Sequence, residues 1–204
     1  MVRRAPPSPS PATSRSPARR ATHEVRIIGG LWKRTKLPVP DRPGLRPTPD
    51  RVRETLFNWL GQDLTGWRCM DAFAGTGALG LEAASRGAAE VLLVEQDPQL
   101  VDQLRAMQAK LGAKAVKVER ANGLSVLARL PPGGLDLVFL DPPFDANLYD
   151  KALAASASPL AADGLVYLES PSAWTDAALA AYGLVVLRHL KAGAVHAHLL
   201  RRAA

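Results

Sequence analysis

Residues 68–86 read RCMDAFAGTGALGLEAASR, a short apolar stretch followed by a glycine-rich turn and a run of helix-forming residues. The first part predicts a strand that ends near Asp71, and the last part predicts a helix. Between them, Gly75, Gly77 and Gly80 form a G-x-G-x-x-G pattern. Glycine is needed where a ligand approaches the backbone closely and where the turn takes unusual dihedral angles. The stretch therefore predicts a binding site for a nucleoside cofactor.

Downstream of this stretch, apolar runs alternate with helical patterns. The predicted strands after the first are VLLVE, AVKVE, LDLVFL, GLVYLE, LVVLRHL and AVHAHLL. Continuous apolar strands separated by helices indicate a parallel sheet that is covered on both faces. The last two strands are separated only by a short turn at 191–193, which predicts an antiparallel hairpin at one edge. We predict an α/β, Rossmann-like fold with a mostly parallel seven-stranded sheet and a small N-terminal hairpin and helix extension.

Upstream of the first strand, composition divides the chain into three parts. Residues 1–22 are rich in Pro, Ser, Ala and Arg, and we expect a disordered basic tail there. Residues 23–61 hold two short extended stretches around Gly29-Gly30, which predict a tight hairpin, and then a helix. Thr48 before Pro49 predicts the start of that helix, with the hydroxyl as its cap. Residues 62–204 form the predicted cofactor-binding catalytic domain.

The net charge of +7 is concentrated at the N-terminal end of the chain. Residues 1–22 hold five Arg and no acid, and residues 23–53 hold eight Lys or Arg against three acids. This asymmetry predicts a surface that binds a polyanion, attached to a nearly neutral body. The single cysteine, Cys69, and the lack of a long apolar run or secretory signal predict a cytoplasmic protein without a membrane span.

Two acids stand where the predicted strands meet the cofactor loop. Glu95 ends the second strand, twenty residues after Gly75, where a carboxylate accepts hydrogen bonds from the ribose hydroxyls of an adenosine. By themselves, the glycines and this acid also suit a dinucleotide dehydrogenase. Asp71 favours S-adenosylmethionine, because a carboxylate suits a sulfonium and an amino group better than it suits a pyrophosphate.

A second motif follows the predicted strand LDLVFL and indicates the chemistry. Asp141-Pro142-Pro143-Phe144 would lie beside the cofactor loop at the carboxyl ends of the strands. Two prolines give a stiff backbone without N–H donors, Asp141 adds an anionic acceptor, and Phe144 adds an aromatic face. Such a site accepts the N–H bonds of a planar exocyclic amine while it stacks on the base, so the motif predicts N-methylation of a nucleobase.

With both motifs in place, the chain resembles bacterial small-subunit ribosomal RNA (guanine-N2)-methyltransferases of the RsmD type, which are class I methyltransferases. The resemblance rests on RIIGG (26–30), KLPVP (36–40), LRPTPDRVRETLFNWL (45–60) and DAFAGTGALGLEA (71–83), together with DPPF. It covers residue 24 to the C-terminus. It implies methylation of a guanine N2 amine in 16S rRNA, on free rRNA or on a small-subunit assembly particle.

The resemblance also assigns roles to individual residues. It implies that S-adenosylmethionine binds at Asp71, Phe73, Gly75, Gly77, Glu95 and Asn122, with Asn122-Gly123 standing where Asp-Ala is more usual. It implies that Asp141, Pro142 and Phe144 are the catalytic residues, which contact the target base. The basic segment would hold RNA through Arg26, Lys33, Arg34, Arg46, Arg51 and Arg53, with Trp32 as an additional candidate. We expect a monomer.

Other functions stay open at this point. A DNA or protein-amide methyltransferase could use the same DPPF chemistry, although a DNA enzyme usually carries a larger recognition segment. A basic assembly factor that has lost catalysis is a non-enzymatic alternative, and the presence of both Glu95 and Asp141 argues against it. His196 and His198 alternate on one strand, but no third ligand is evident, so we expect a solvent-facing edge strand and no metal.

Overall fold

Seven strands form one sheet in the computed structural model, which describes residues 25–40, 48–143 and 148–203. They are β3 (Arg68–Asp71), β4 (Glu90–Glu95), β5 (Val116–Arg120), β6 (Leu135–Leu140), β7 (Leu160–Ser170), β8 (Leu184–Ala192) and β9 (Val195–Arg202). Their order is β5-β4-β3-β6-β7-β9-β8. The first five are mutually parallel, and β9 runs antiparallel to both β7 and β8. The predicted fold class is confirmed.

Helices cover both faces of this sheet. They are α1 (Asp50–Trp59), α2 (Ala78–Ser85), α3 (Pro98–Leu111), α4 (Gly123–Arg129), α5 (Tyr149–Ala157) and α6 (Asp176–Leu179), the last continued by a 3-10 helix at Ala180–Tyr182. Alternate residues of β6 point to opposite faces. Phe139 packs in the core beneath α1, α2 and α3, and Leu140 packs in the core beneath α4, α5 and α6.

The bounds of α3 show how local sequence sets the helices. The Asp97 carboxylate accepts hydrogen bonds from the backbone N–H groups of Gln99 and Leu100, at 2.8 and 3.3 Å, and so caps the first turn. Pro98 occupies the first helical position, where no N–H is needed. Gly112 ends the helix with φ of 59°, a left-handed conformation that glycine adopts without strain.

The N-terminal extension differs in detail from the predicted tight hairpin. Strands β1 (Val25–Arg26) and β2 (Lys36–Leu37) pair antiparallel, but each has only two residues. The connection is a long turn rather than two glycines, since the Ile27 N–H donates to the Thr35 carbonyl and the Arg34 N–H to the Ile27 carbonyl. Arg34 has φ of 72°, which is unusual for a residue with a side chain.

The expectation that His196 and His198 lie on a solvent-facing edge strand is wrong. Strand β9 lies between β7 and β8, and β8 is the edge. His198 is 0% exposed, and its Nε2 accepts a hydrogen bond from the backbone N–H of Trp174 at 3.1 Å. Burial lowers the pKa of His198 to about 4, so its ring is neutral at pH 7. No three His, Cys, Asp or Glu side chains within the described ranges are grouped to hold a metal ion.

A bilayer-spanning helix, which needs both length and an apolar composition, is not found among the described residues.

Candidate active site

Three carboxylates from neighbouring strands meet at the carboxyl edge of the sheet. Asp71 ends β3, Asp141 follows β6, and Glu169 lies near the end of β7. Asp71 pairs in register with Phe139, and Leu140 pairs with Leu168, so Asp141 and Glu169 each follow directly after the last pair of β6 and β7. Because side chains alternate along strands, all three acids lie on the face of the sheet that α1, α2 and α3 cover. In this strand order the connection reverses direction between β3 and β6, which is where open α/β sheets bind ligands.

Asp71 is a buried acceptor with spare capacity. Its side chain is 1% exposed, and Oδ2 accepts a hydrogen bond from the Gly80 N–H at 3.1 Å. Oδ1 is buried and has no hydrogen-bond partner of normal geometry within the part of the chain that the structure describes, although the nearby Phe73 N–H lowers the pKa of Asp71. Burial raises the pKa of Asp71 to about 7, and the charges of Glu95 and Glu169 act in the same direction. The site is therefore prepared for a cationic or N–H donor group of a ligand.

The glycine loop lies between the ends of β3 and β4. Gly75 and Gly77 have φ of 52° and 80°, left-handed values that explain the requirement for glycine at both positions. The Gly75 N–H donates to Glu95 Oε2 at 2.9 Å, and Glu95 Oε1 accepts from the N–H groups of Gln96 and Asp97 at 2.7 and 2.9 Å. The structure thus brings the predicted loop and the predicted acid into direct contact.

Asn122 has a local role that the sequence already suggests. Its side-chain oxygen accepts a hydrogen bond from the Ser125 N–H at 3.1 Å and caps α4. The residue after it must be glycine, because a Cβ on Gly123 would collide with the carbonyl oxygen of Ala72, just beyond β3. The cap and this close approach place Asn122 beside the glycine loop. Phe73, in the loop itself, is half-buried against the core that lies beneath α4, α5 and α6.

The predicted catalytic motif is partly visible. Asp141 keeps some exposure, Pro142 is buried and Pro143 is exposed, whereas Phe144 lies outside the described residues. Burial, followed by the charges of Glu169 and Asp71, raises the pKa of Asp141 well above the usual carboxyl range. A carboxyl group of this kind takes up a proton more readily than an exposed one.

Glu169 is a site residue that the motif search missed. It is 3% exposed, and its Oε1 accepts hydrogen bonds from the hydroxyl groups of Thr48 and Tyr167, at 2.7 and 2.8 Å. The prediction that the Thr48 hydroxyl caps α1 is wrong, because that hydroxyl donates to Glu169 and the residue at the cap position is Pro49. The sequence signal was an acid near the end of GLVYLES, the strand that pairs with β6.

The sequence matches a protein family over most of its length. A family model described as Conserved hypothetical protein 95 matches residues 25–201. The chain belongs to this family. A relative from Escherichia coli K12, named Ribosomal RNA small subunit methyltransferase D, is 46% identical over 158 residues, which are 76% of this chain and 79% of the relative. The relative of the same name from Haemophilus influenzae is 41% identical over 168 residues, which cover 76% of this chain and 87% of the relative.

The solved structures agree with the sequence comparison. The yhhF protein of Escherichia coli superposes with a TM-score of 0.76 at 42% identity, covering 89% of this chain and 99% of that one. The predicted resemblance is therefore confirmed at the level of the family and the fold.

Within this family member, one of the residues assigned to RNA does not face solvent. Arg53 is 0% exposed, which corrects its prediction as a phosphate contact. Its Nη2 donates to the Arg26 carbonyl at 2.8 Å and to the Asp50 carboxylate at 2.6 Å. Its Nη1 lies 3.4 Å from Glu82 Oε2, and its Nε lies 3.3 Å from the Thr48 carbonyl. The guanidinium therefore holds the extension together from inside.

Glu82, on α2, connects this buried group to the cofactor loop. It is 0% exposed, and its two carboxylate oxygens accept 2.7 Å hydrogen bonds from the N–H groups of Ile28 and Gly29. Arg86 adds a second ion pair at 2.8 Å. Since α2 begins directly after the glycine loop, the extension is bonded to the helix that starts at this loop.

The other predicted RNA contacts are placed differently from Arg53. Exposed side chains belong to Arg26, Lys33, Arg34 and Arg51, whereas Arg46 lies outside the described residues. Trp32 is half-buried, and it packs against the core. The described basic residues thus divide into an exposed set, which is free to meet a polyanion, and the buried Arg53.

Proposed function

We propose that this chain transfers a methyl group from S-adenosylmethionine to the exocyclic N2 amine of a guanine in small-subunit (16S) ribosomal RNA. The observation that carries the proposal is the meeting of Asp71, Asp141 and the Glu95-bound glycine loop at one edge of the sheet. The names of the two relatives above support ribosomal RNA as the substrate. The choice of guanine N2 follows from the sequence resemblance.

The residues present fit S-adenosylmethionine. The unpartnered Oδ1 of Asp71 is a buried acceptor for the ammonium group of the methionine part. Three backbone N–H groups already hold the Glu95 carboxylate in place, and a carboxylate has about four lone-pair directions, so acceptor capacity remains for a ribose hydroxyl. The resemblance implies that Asn122 contacts the adenine. When bound, S-adenosylmethionine supplies an electrophilic methyl group on a sulfonium.

Asp141 orients the amine. Its carboxylate accepts an N–H bond of the guanine amine, and Pro142 contributes a stiff backbone that has no N–H to compete for the same acceptors. Holding the N–H bonds directs the nitrogen lone pair towards the methyl group, and positioning of this kind is a large source of rate enhancement. Phe144, the next aromatic residue in the motif, would stack on the base.

The chemistry also requires a destination for one proton. Methyl transfer from S-adenosylmethionine would replace the carbon–sulfur bond of the donor by a new N–C bond and would leave a positive charge on the amine nitrogen, which would then have to lose a proton. Asp141, with its pKa raised by burial and by two neighbouring carboxylates, is suited to take up that proton as it leaves. No metal ion is required for this step.

The exposed basic residues of the extension would hold the RNA backbone. Arg26, Lys33, Arg34 and Arg51 provide positive charge on the described surface, and Arg46 adds to it in the sequence. Contacts between such side chains and phosphates release counterions, so binding should weaken steeply with salt. Neutralising Arg51 together with Arg46 should reduce that salt dependence.

The test is a tritiated methyl-transfer assay on 16S rRNA and on small-subunit particles, followed by identification of the modified nucleoside. Wild-type protein should label N2-methylguanosine, on free RNA or on the assembled particle. Asp141→Ala should abolish transfer while it leaves S-adenosylmethionine binding within a few-fold. Label in another nucleoside, in DNA or in a protein glutamine would redirect the proposal to that acceptor. Binding to rRNA without any transfer would favour an assembly factor.

A further inference from the structure

Thr48 connects the N-terminal extension to the catalytic edge. Its hydroxyl group donates to Glu169 Oε1 at 2.7 Å, and its carbonyl accepts from Arg53 Nε at 3.3 Å. Thr48 is buried. Because Pro49 and α1 follow directly, these two bonds hold the first turn of α1 against β7.

Glu169 in turn lies beside the proposed catalytic carboxylate. Glu169 and Asp141 each follow directly after the Leu168–Leu140 pair, on the same face of the sheet. Burial raises the pKa of Asp141, and the charge of Glu169 raises it further. The oxygen that accepts from Thr48 therefore belongs to a group that interacts directly with the reacting edge.

The exposed side of the same helix turn carries a basic residue. Arg51 follows Thr48 by three positions, and it is exposed, whereas Thr48 and Arg53 face inward. A phosphate bound at Arg51 would thus be held at a set distance from Asp141 only while the first turn of α1 keeps its place.

We propose that Thr48 is a positioning residue whose hydrogen bond to Glu169 fixes the RNA-binding start of α1 relative to Asp141. This inference rests on the proposed function, because it concerns how the same site receives its RNA. It assigns to Thr48 a role in substrate placement, in addition to its contribution to packing.

Tyr167 provides a matched control. Its hydroxyl group donates to the same Glu169 oxygen at 2.8 Å, but the residue belongs to β7. Its ring packs in the core against Phe139, with 6.2 Å between ring centroids. Tyr167→Phe therefore removes one donor from the same carboxylate without releasing α1, whereas Thr48→Val removes the donor that ties α1 to it.

Kinetics of the full chain distinguish the two bonds. Thr48→Val should raise KM for the small-subunit RNA substrate by about five- to tenfold, the equivalent of about 1–1.4 kcal/mol. It should leave the Kd for S-adenosylmethionine within twofold. Thr48→Ser should restore KM, because it keeps the hydroxyl, and Tyr167→Phe should leave KM unchanged. Equal effects of Thr48→Val and Tyr167→Phe on KM, or no effect of either, would overturn the inference.

Hydrogen exchange gives a readout that does not depend on turnover. The N–H groups of Val52 and Arg53 donate to the Pro49 carbonyl at 2.9 and 3.1 Å, in the first turn of α1. They should exchange faster in Thr48→Val than in Tyr167→Phe. Equal exchange rates in the two variants would show that the Thr48–Glu169 bond does not hold α1. If wild-type protein methylates no small-subunit RNA, the proposed function fails, and exchange at these two amides still decides whether Thr48 holds α1. If wild-type protein is active and KM is unmoved in Thr48→Val, only the present inference fails.

Discussion

Arg53→Met removes the buried charge that joins α1 to the rest of the extension. The guanidinium contacts two carbonyl oxygens, of Arg26 and Thr48, and two carboxylates, of Asp50 and Glu82. Methionine keeps most of the aliphatic volume, so the change isolates the polar contacts from the loss of packing. It leaves Glu82, which is 0% exposed, with Arg86 as its remaining ion-pair partner.

The magnitude follows from the burial of both partners. Removing one member of a buried ion pair costs about 3–5 kcal/mol, because the other charge stays desolvated. Arg86 and the Ile28 and Gly29 N–H groups still support Glu82, so we expect the lower end, about 3 kcal/mol. Folding free energies are typically about 5–15 kcal/mol, so the variant should fold but unfold at a clearly lower denaturant concentration.

Guanidinium chloride unfolding, followed by tryptophan fluorescence, measures this loss. Arg51→Met is the matched control, since Arg51 lies on the same helix but is exposed, and its free energy of unfolding should not change. RNA binding should weaken in Arg51→Met, because the exposed charge is lost while the fold is unchanged. If Arg53→Met lowered the free energy of unfolding by less than about 1 kcal/mol, the reasoning would be refuted. The cost of burying the guanidinium would then cancel the gain from its contacts. A double-mutant cycle with Glu82→Gln would measure the coupling directly.

Three further predictions concern the carboxyl edge. The pKa of Asp71 is about 7 in the folded protein and 3.8 in the reference state. Between these pH values the folded state therefore binds one more proton at Asp71 than the unfolded state does. Asp71 contributes stability that is fully present below about pH 4 and is lost as the pH rises through 7. In urea unfolding measured from pH 4.5 to 8, Asp71→Asn should reduce this fall of the free energy of unfolding with pH. Glu169→Gln removes a charge that raises the pKa of Asp141, so the acidic limb of the kcat profile should move to lower pH; an unmoved limb would contradict the coupling. Gly123→Ala forces a Cβ onto a backbone carbonyl and should lower the midpoint of thermal unfolding far more than Gly112→Ala, where the space is open and only the left-handed φ opposes alanine.

The features that sequence could predict are those in which neighbouring residues carry the signal. In α3, the capping Asp97, the first-turn Pro98 and the terminal Gly112 all lie at the ends of the helix in the sequence itself. The glycine loop and Asp71 likewise form one contiguous pattern. The position of Glu95 could also be predicted, because parallel strands bring their carboxyl ends to one edge of the sheet. In each case local rules and the strand order act together, so the positions of these residues follow without knowledge of the packing.

The features that sequence missed depend on contacts between distant segments. Thr48 and Glu169 are 121 positions apart, and nothing near Thr48 distinguishes a helix cap from a partner of a remote carboxylate. Arg53 is next to Val52, on a helix in which Val52, Leu56, Trp59 and Leu60 have the spacing of a single buried side. The structure buries Val52, Arg53, Leu56 and Phe57, because α1 packs against the sheet on one side and the β1–β2 segment on the other. A helix enclosed on two sides buries a residue that a single stripe leaves exposed.

The buried polar groups form one connected series across the molecule. Glu82 lies on the helix that begins at the glycine loop, Arg53 bonds to it and to the Thr48 carbonyl, and the Thr48 hydroxyl bonds to Glu169 beside Asp141. The helix that follows the glycine loop and the Glu169 carboxylate beside Asp141 are therefore joined through the extension, in addition to the sheet. Removal of the residues up to position 61 would take away the Arg53 contact with Glu82. It would also take away the two N–H donors to Glu82 and the Thr48 donor to Glu169. Glu82 would keep Arg86 and Glu169 would keep Tyr167, but the loss of the other contacts would be destabilising. The basic extension and the cofactor-binding part are thus expected to fold as a single unit, although composition and charge divide them in the sequence.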